Sequence, residues 1–172
     1  MTLYNPSSTS SFKGSSSRTT INYGSGDVSG EDATDTVSMS GFNVTNQGFC
    51  ALLSESSPPY AVLTDIFTVA VDTLSSGLVS DSVAGILGLA YQSIAATGVT
   101  PFWQALINDG QLSSPEMSFY ITRFRGDTAA TTLEPGGTFT LGGVDTNLYT
   151  GSIEFLDLAS TPSYWLLNLA GQ

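Results

Sequence analysis

Between Thr20 and Gly30 a short alternating run, Thr20-Ile21-Asn22-Tyr23, meets Gly24-Ser25-Gly26 and then a second polar, β-prone run. Two strand-like runs around a Gly-rich turn predict a β-hairpin. Gly24 and Gly26 permit positive φ at the tip and leave it without bulk, so the tip can lie close over something else. Tyr23 holds the last strand position before the turn, where it offers a flat ring and a hydroxyl. That is the form of a mobile lid with one aromatic anchor. The returning strand reads as long and polar, from Asp27 to about Ser40, with Val28, Ala33, Val37 and Met39 as its apolar members. Gly41 then turns the chain into a strand over Phe42 to Gln47. Ahead of the hairpin, residues 5–17 are dominated by Ser, with Pro6 and Gly14, and predict a surface loop.

From Gly48 to Ile66 the pattern changes. The clusters Phe49-Cys50-Ala51-Leu52-Leu53 and Tyr60-Ala61-Val62-Leu63 show no clean period, and Pro58-Pro59 between them blocks one continuous helix or central strand. Phe67 to Val71 is strand-like, and Val83 to Leu89 reads as a short buried strand between glycines. Tyr91 to Ala95 suits a helical turn. Thr100 to Asn108 is the best helix: Thr100 as cap, Pro101 at the favoured first position, Gly110 as stop, and Phe102, Leu106 and Ala105 as its apolar face. Met117 to Arg123, Thr138 to Leu141, Gly151 to Leu158 and Tyr164 to Leu169 are all strand-like, interrupted by a Gly/Pro/Thr-rich loop near 126–137. There are no internal repeats. The expected class is mostly β with one or two short helices.

The 172 residues suffice for one sizeable core, and 41% hydrophobic residues argue against disorder. Four Lys plus Arg against fifteen Asp plus Glu give a net charge of −11, with no His. Nucleic acid is excluded as an expected partner, because phosphate contacts need clustered cations. Scarce bases suit work in acid, where carboxylates are partly neutralised, but a soluble acidic surface explains the charge equally well. The one cysteine, Cys50, cannot form an internal disulfide. No run approaches the ~20 apolar residues of a membrane span, and Met1 to Pro6 has neither the basic start nor the apolar core of a signal peptide. Asn43-Val44-Thr45 is a glycosylation sequon, whereas Asn5-Pro6-Ser7 is excluded by its proline.

Four motifs in order carry a resemblance: Tyr4 to Phe12 (Tyr-Asn-Pro-Ser-Ser-Thr-Ser-Ser-Phe), Thr20 to Gly30, Gly85 to Tyr91 (Gly-Ile-Leu-Gly-Leu-Ala-Tyr) and Thr138 to Asp145 (Thr-Phe-Thr-Leu-Gly-Gly-Val-Asp). Together they resemble the pepsin-like (A1 family) aspartic endopeptidases, most closely the secreted fungal type. The resemblance covers nearly the whole chain apart from residues 48–66. It implies a mostly β fold, the incomplete N-terminal lobe of a pepsin-like acid protease. Residues 1–160 would be that lobe without its first strands, carrying an atypical insertion at about 48–66, and residues 161–172 would begin the second lobe. In the family, the strand ending in Thr45-Asn46-Gln47 runs almost directly into a run like Phe67 to Val71. The surplus would therefore be a translated unspliced intron or a disordered loop.

The same resemblance implies a chemistry. In such enzymes each lobe gives one Asp from an Asp-Thr-Gly turn, and the pair activates a water that attacks the peptide carbonyl without a covalent intermediate. No cofactor or metal is implied. No Asp-Thr-Gly occurs in this chain, which by motif order begins after the first such turn and stops before the second. Asp72-Thr73-Leu74 follows an apolar run as the catalytic turn does, but Leu74 replaces the glycine that folds the turn tightly. Asp72 is thus a decoy, read as a surface Asp at a strand end. Asp32 and Asp35 read as surface charge on a solvated strand, and Asp81 as a weak candidate. Tyr23 matches the lid tyrosine that covers the scissile bond, Gly24 and Ser25 match substrate-contacting lid positions, and Val83 and Ile86 match positions lining the adjacent subsite. Ala84 departs from the acidic residue common in other members.

The expected partners are then a protein or peptide substrate and the remaining parts of the same protease, with no membrane, and the location extracellular. The chain alone is expected to be inactive. The alternative from another class is a non-catalytic secreted β-rich module that binds peptides or carbohydrate.

Overall fold

The computed structural model describes residues 4–23, 26–51, 62–64, 68–69, 85–131 and 134–169. By the density of internal contacts the chain forms two units, one of residues 1–106 with 157–172, the other of residues 107–156.

The first unit is built on an antiparallel meander. Strand β1 (Lys13–Tyr23), β2 (Gly26–Met39) and β3 (Phe42–Ala51) pair in sequence order. Short strands β4 (Val62–Thr64), β5 (Thr68–Val69) and β6 (Gly85–Ile86) extend the sheet, with β6 parallel to β4 and antiparallel to β5. The predicted hairpin is present, its last pair being Tyr23 with Gly26. The β2–β3 hairpin turns over two residues, Ser40 at φ 51° and Gly41 at φ 89°, between the closing pair Met39 and Phe42. Positive φ at both turn positions matches the right-handed twist of the flanking strands, and glycine adopts it at no steric cost.

Two strands are longer than their patterns predict. β1 starts at Lys13, inside the Ser-rich stretch read as a loop, and pairs Lys13 with Thr34 and Gly14 with Ala33 before an irregularity ends at Arg18. That stretch is exposed, so it needs no apolar alternation to be a strand. β3 runs four residues past Gln47, because Gln47 to Ala51 are buried in succession. A strand covered on both faces loses its alternation, which hid it in the sequence. A bulge sets Thr45 and Asn46 opposite the single residue Thr36. Asn46 takes φ 53°, a left-handed conformation that Asn tolerates, and accepts from Lys13 Nζ at 2.9 Å.

The core lies on β2 and β3. Ala33, Phe49 and Ala51 are buried together, and Tyr4 and Phe12 pack against them, Tyr4 meeting Phe49 edge-on at 5.8 Å. Helix α1 (Phe102–Asn108) buries Phe102 and Leu106 as expected, and Trp103 as well. Gly110 closes it, donating to Ile107 O at 3.0 Å. The Thr100 hydroxyl, expected as its cap, donates to the Gln92 carboxamide at 3.1 Å. A single 3₁₀ turn, Gln92–Ile94, stands where a helical turn was expected.

In the second unit, β7 (Met117–Ile121) and β8 (Gly137–Leu141) form an antiparallel pair on which Phe119 and Phe139 stack at 4.7 Å. The strands expected over 151–158 and 164–169 do not form among the described residues. These stretches are apolar enough but find no ladder partner there. Phe155 and Leu169 stand 73% and 94% exposed.

Candidate functional site

The sequence points to a lid at the β1–β2 hairpin and a subsite near β6. Tyr23 is the last residue of β1, opposite Gly26 at the hairpin's end. Ile86 lies in β6, half-buried, paired with Thr64 of β4 and Thr68 of β5. These two strands stand at opposite ends of the sheet order, so strand pairing places Tyr23 and Ile86 in one sheet without bringing them side by side. Gly24, Ser25, Val83 and the decoy Asp72 lie outside the described residues, as do Asp81, Ala84 and most of residues 52–66. Asn43 is exposed at the β2–β3 tip.

Asp35, read from sequence as surface charge, is buried, with 3% of its surface exposed. Tyr4 and Ser11 each donate a short hydroxyl hydrogen bond to it, Thr9 donates at 3.1 Å, and the Thr36 backbone N–H at 2.7 Å. Burial pushes its carboxyl up. The bonds from Ser11, Tyr4, Thr36 and Thr9 together outweigh that and hold it below the ordinary 3.8. The Tyr4 hydroxyl is pushed well above its usual range by burial first, then by its bond to Asp35 and that carboxylate's charge. The alternation contained the signal for this correction: Ala33, Asp35 and Val37 fall on one face, so the face that buries two apolar residues buries the acid between them. Asp32, also read as surface charge, is half-buried, and its Oδ1 lies out of contact with solvent.

Asp35 is therefore a tether. Its three hydroxyl donors come from the Tyr4 to Ser11 segment, one of the motifs singled out above, and they fasten that segment to the middle of β2. A carboxylate saturated by donors is a poor general base, and no group of three or more potential metal ligands occurs among the described residues.

A second constellation fixes the segment after β6. Tyr91, Trp103 and Trp165 form a ring cluster with centroids 4.7 to 5.7 Å apart. Trp103 Nε1 donates to Ala90 O at 3.1 Å and Trp165 Nε1 to Leu89 O at 2.7 Å. Tyr91 N donates to Ser163 O at 3.2 Å. The run following Gly85-Ile86 is thus clamped by both indoles, which holds the chain that leaves the candidate subsite. In the second unit a groove of about 380 Å³ lies along β7, lined by Tyr120, Val144, Leu148, Tyr149 and Ile153 among others.

A mostly β chain with a Tyr-bearing Gly-tipped hairpin and a Gly-Ile-Leu-Gly run, half-buried from Ile86 to Gly88, has the organisation of an acid-protease lobe. The chain belongs to the eukaryotic aspartyl proteases, whose family model matches residues 1–172. It is 40% identical over 168 residues to "Major aspartyl peptidase 1" of Cryptococcus neoformans var. grubii, covering 96% of this chain and 30% of that protein. It is 33% identical over 166 residues to pepsin A of Sus scrofa and 30% identical over 166 residues to gastricsin of Callithrix jacchus, each match covering 96% of this chain and 36% of the relative. The chain thus spans about a third of the length of these curated relatives. Among the described residues no helix is long and apolar enough to cross a membrane.

Proposed function

We propose that this chain supplies most of the first lobe of an extracellular aspartic endopeptidase, residues 1–160 in that lobe and 161–172 opening the second. The observation that carries the reading is the β1–β2 hairpin ending in the pair Tyr23 and Gly26, in a chain matched end to end by the protease family. Tyr23 closes over the scissile bond, with Gly24 and Ser25 contacting the substrate backbone. Val83 and Ile86 line the apolar subsite beside it. A lid of this kind positions the peptide and excludes bulk water while two carboxylates activate one water molecule.

Those carboxylates come from sequence outside these residues, since the chain contains no Asp-Thr-Gly. The 172-residue chain alone is then inactive, and its substrate is a protein or peptide bound jointly with the rest of the protease. The test is acid proteolysis by the full-length protein and by this chain separately, each with and without a pepstatin-type inhibitor. Inhibitable activity confined to the full-length protein supports the reading. Inhibitable turnover by the chain alone, or none by the full-length protein, refutes it.

A further inference from the structure

The Asn43-Val44-Thr45 sequon lies immediately after the two-residue β2–β3 turn, Asn43 being the second residue of β3. Val44 is buried, while Asn43 and Thr45 on either side of it are exposed. Strand alternation therefore turns both chemically required side chains to water and uses the intervening valine as the anchor to the core. β4 meets β3 at Cys50, at the other end of the strand. At the tip the recorded partner of β3 is β2, through the pairs Ser38 with Asn43 and Met39 with Phe42.

The Asn43 carboxamide is also oriented. Ser38 Oγ donates to its Oδ1 at 2.5 Å, and its Nδ2 donates to Gly41 O at 3.3 Å. Joining a sugar to Nδ2 replaces one amide hydrogen and leaves the other, and it leaves Oδ1 unchanged. Both bonds are therefore compatible with a substituted amide. The other Asn-x-Ser pattern behaves differently: Asn5 Oδ1 accepts from Ser7 N at 3.0 Å as the cap of the Pro6–Ser8 turn, and its central proline bars it as an acceptor.

We propose that Asn43 carries an N-linked oligosaccharide, projecting from the β2–β3 tip away from the core. In forming it, Asn43 Nδ2 attacks the anomeric carbon of the first N-acetylhexosamine of an oligosaccharide carried on a lipid pyrophosphate. The bond from that carbon to the pyrophosphate oxygen breaks, the lipid pyrophosphate leaves with the electron pair, and the amide gives up one proton. The hairpin then closes with Val44 inside and the sugar in solvent. This assignment rests on the extracellular reading above, since such transfer takes place on the secretory route.

The test uses the full-length protein containing this chain, made in a eukaryotic host and recovered separately from medium and cytosol. The peptide bearing Asn43 is analysed by mass spectrometry before and after a peptide-N-glycosidase, an amidase that hydrolyses the side-chain amide bond, releases the glycosylamine and leaves Asp. The expected result is hexosamine-containing mass on that peptide in the secreted protein, replaced by Asp at position 43 after digestion. N43Q and T45A abolish the glycan, and T45S retains it. Secreted protein with Asn43 unmodified overturns the glycan while leaving the extracellular reading intact. Protein confined to the cytosol overturns both. A glycan that persists in T45A overturns the sequon as its determinant.

Discussion

Trp103 and Trp165, separated in sequence by the whole of the second unit, give their indole N–H groups to consecutive carbonyls, Ala90 O and Leu89 O. Their rings lie 5.7 Å apart, with Tyr91 against both. Two side chains thus fix one short backbone run from two directions. Trp165→Phe keeps an aromatic ring and removes the donor, so about 1 kcal/mol of stability should be lost. Trp103→Ala also empties a buried site, with an expected loss of about 3–5 kcal/mol. Urea unfolding followed by circular dichroism measures both, and equal effects would contradict the assignment of Trp103 as the buried member.

The Asp35 tether predicts a pH dependence whose sign is fixed. Its folded pKa lies below the ordinary 3.8, so the ionised form is the one the fold favours. Its contribution is complete above 3.8 and disappears as pH falls through the lower folded value. Tyr4, the titratable partner, has its pKa pushed upward and remains neutral throughout that range. Asp35→Asn should therefore flatten the acid limb of the stability profile and cost about 1–3 kcal/mol at neutral pH, where buried hydroxyls lose a charged acceptor. Denaturant midpoints across the acid range, wild type against variant, provide the comparison. Parallel acid limbs would remove Asp35 as their source.

Gly48 is tested by size. A Cβ there would sit 2.5 Å from Val99 Cγ1 and 3.0 Å from Val99 Cβ, so Gly48→Ala forces a shift in a buried strand and should cost about 1–3 kcal/mol. Val99→Ala in the same chain should recover part of that loss. A double-mutant cycle by thermal unfolding measures the coupling, and additivity would mean that strain arises elsewhere.

For the proposed lid, Tyr23→Ala in the full-length protein should lower kcat/KM for an apolar peptide on the order of 10²-fold, through loss of substrate positioning. The thermal midpoint should hardly move, which separates positioning from folding. A fully active variant would place the lid elsewhere.

The second unit predicts association. Ile121 is 78% exposed at the end of a two-stranded pair, and Phe155 and Leu156 are exposed as well. A two-stranded sheet whose edges meet no further strand among the described residues templates further pairing. The isolated chain should sediment as oligomers in a concentration-dependent way, and Ile121→Lys should shift it toward monomer.

Where the code was local, the sequence was legible. The Tyr23 hairpin, the Gly41 turn, helix α1 and the β7–β8 strands follow from alternation, glycine placement and helix-end chemistry. Three features were not legible, for physical reasons. The exposed start of β1 carries no hydrophobic pattern, and the doubly covered end of β3 carries no polar one. Residues 151–158 and 164–169 have strand composition but no ladder partner among the described residues, because pairing is a property of two segments and composition reports only one. Asp35 was misread although its position between Ala33 and Val37 marked it as inward-facing. The pattern gave the direction of the side chain, and the hydroxyls that make burial tolerable come from 24 to 31 residues earlier in the chain.

The donors holding Asp35 are three hydroxyls and one amide. Mobile ions weaken a bond between opposite charges, but they have little hold on a buried carboxylate gripped by neutral dipoles. This fastening should endure in brine that would loosen the exposed Arg18–Glu31 contact, leaving acid as its natural solvent-borne adversary.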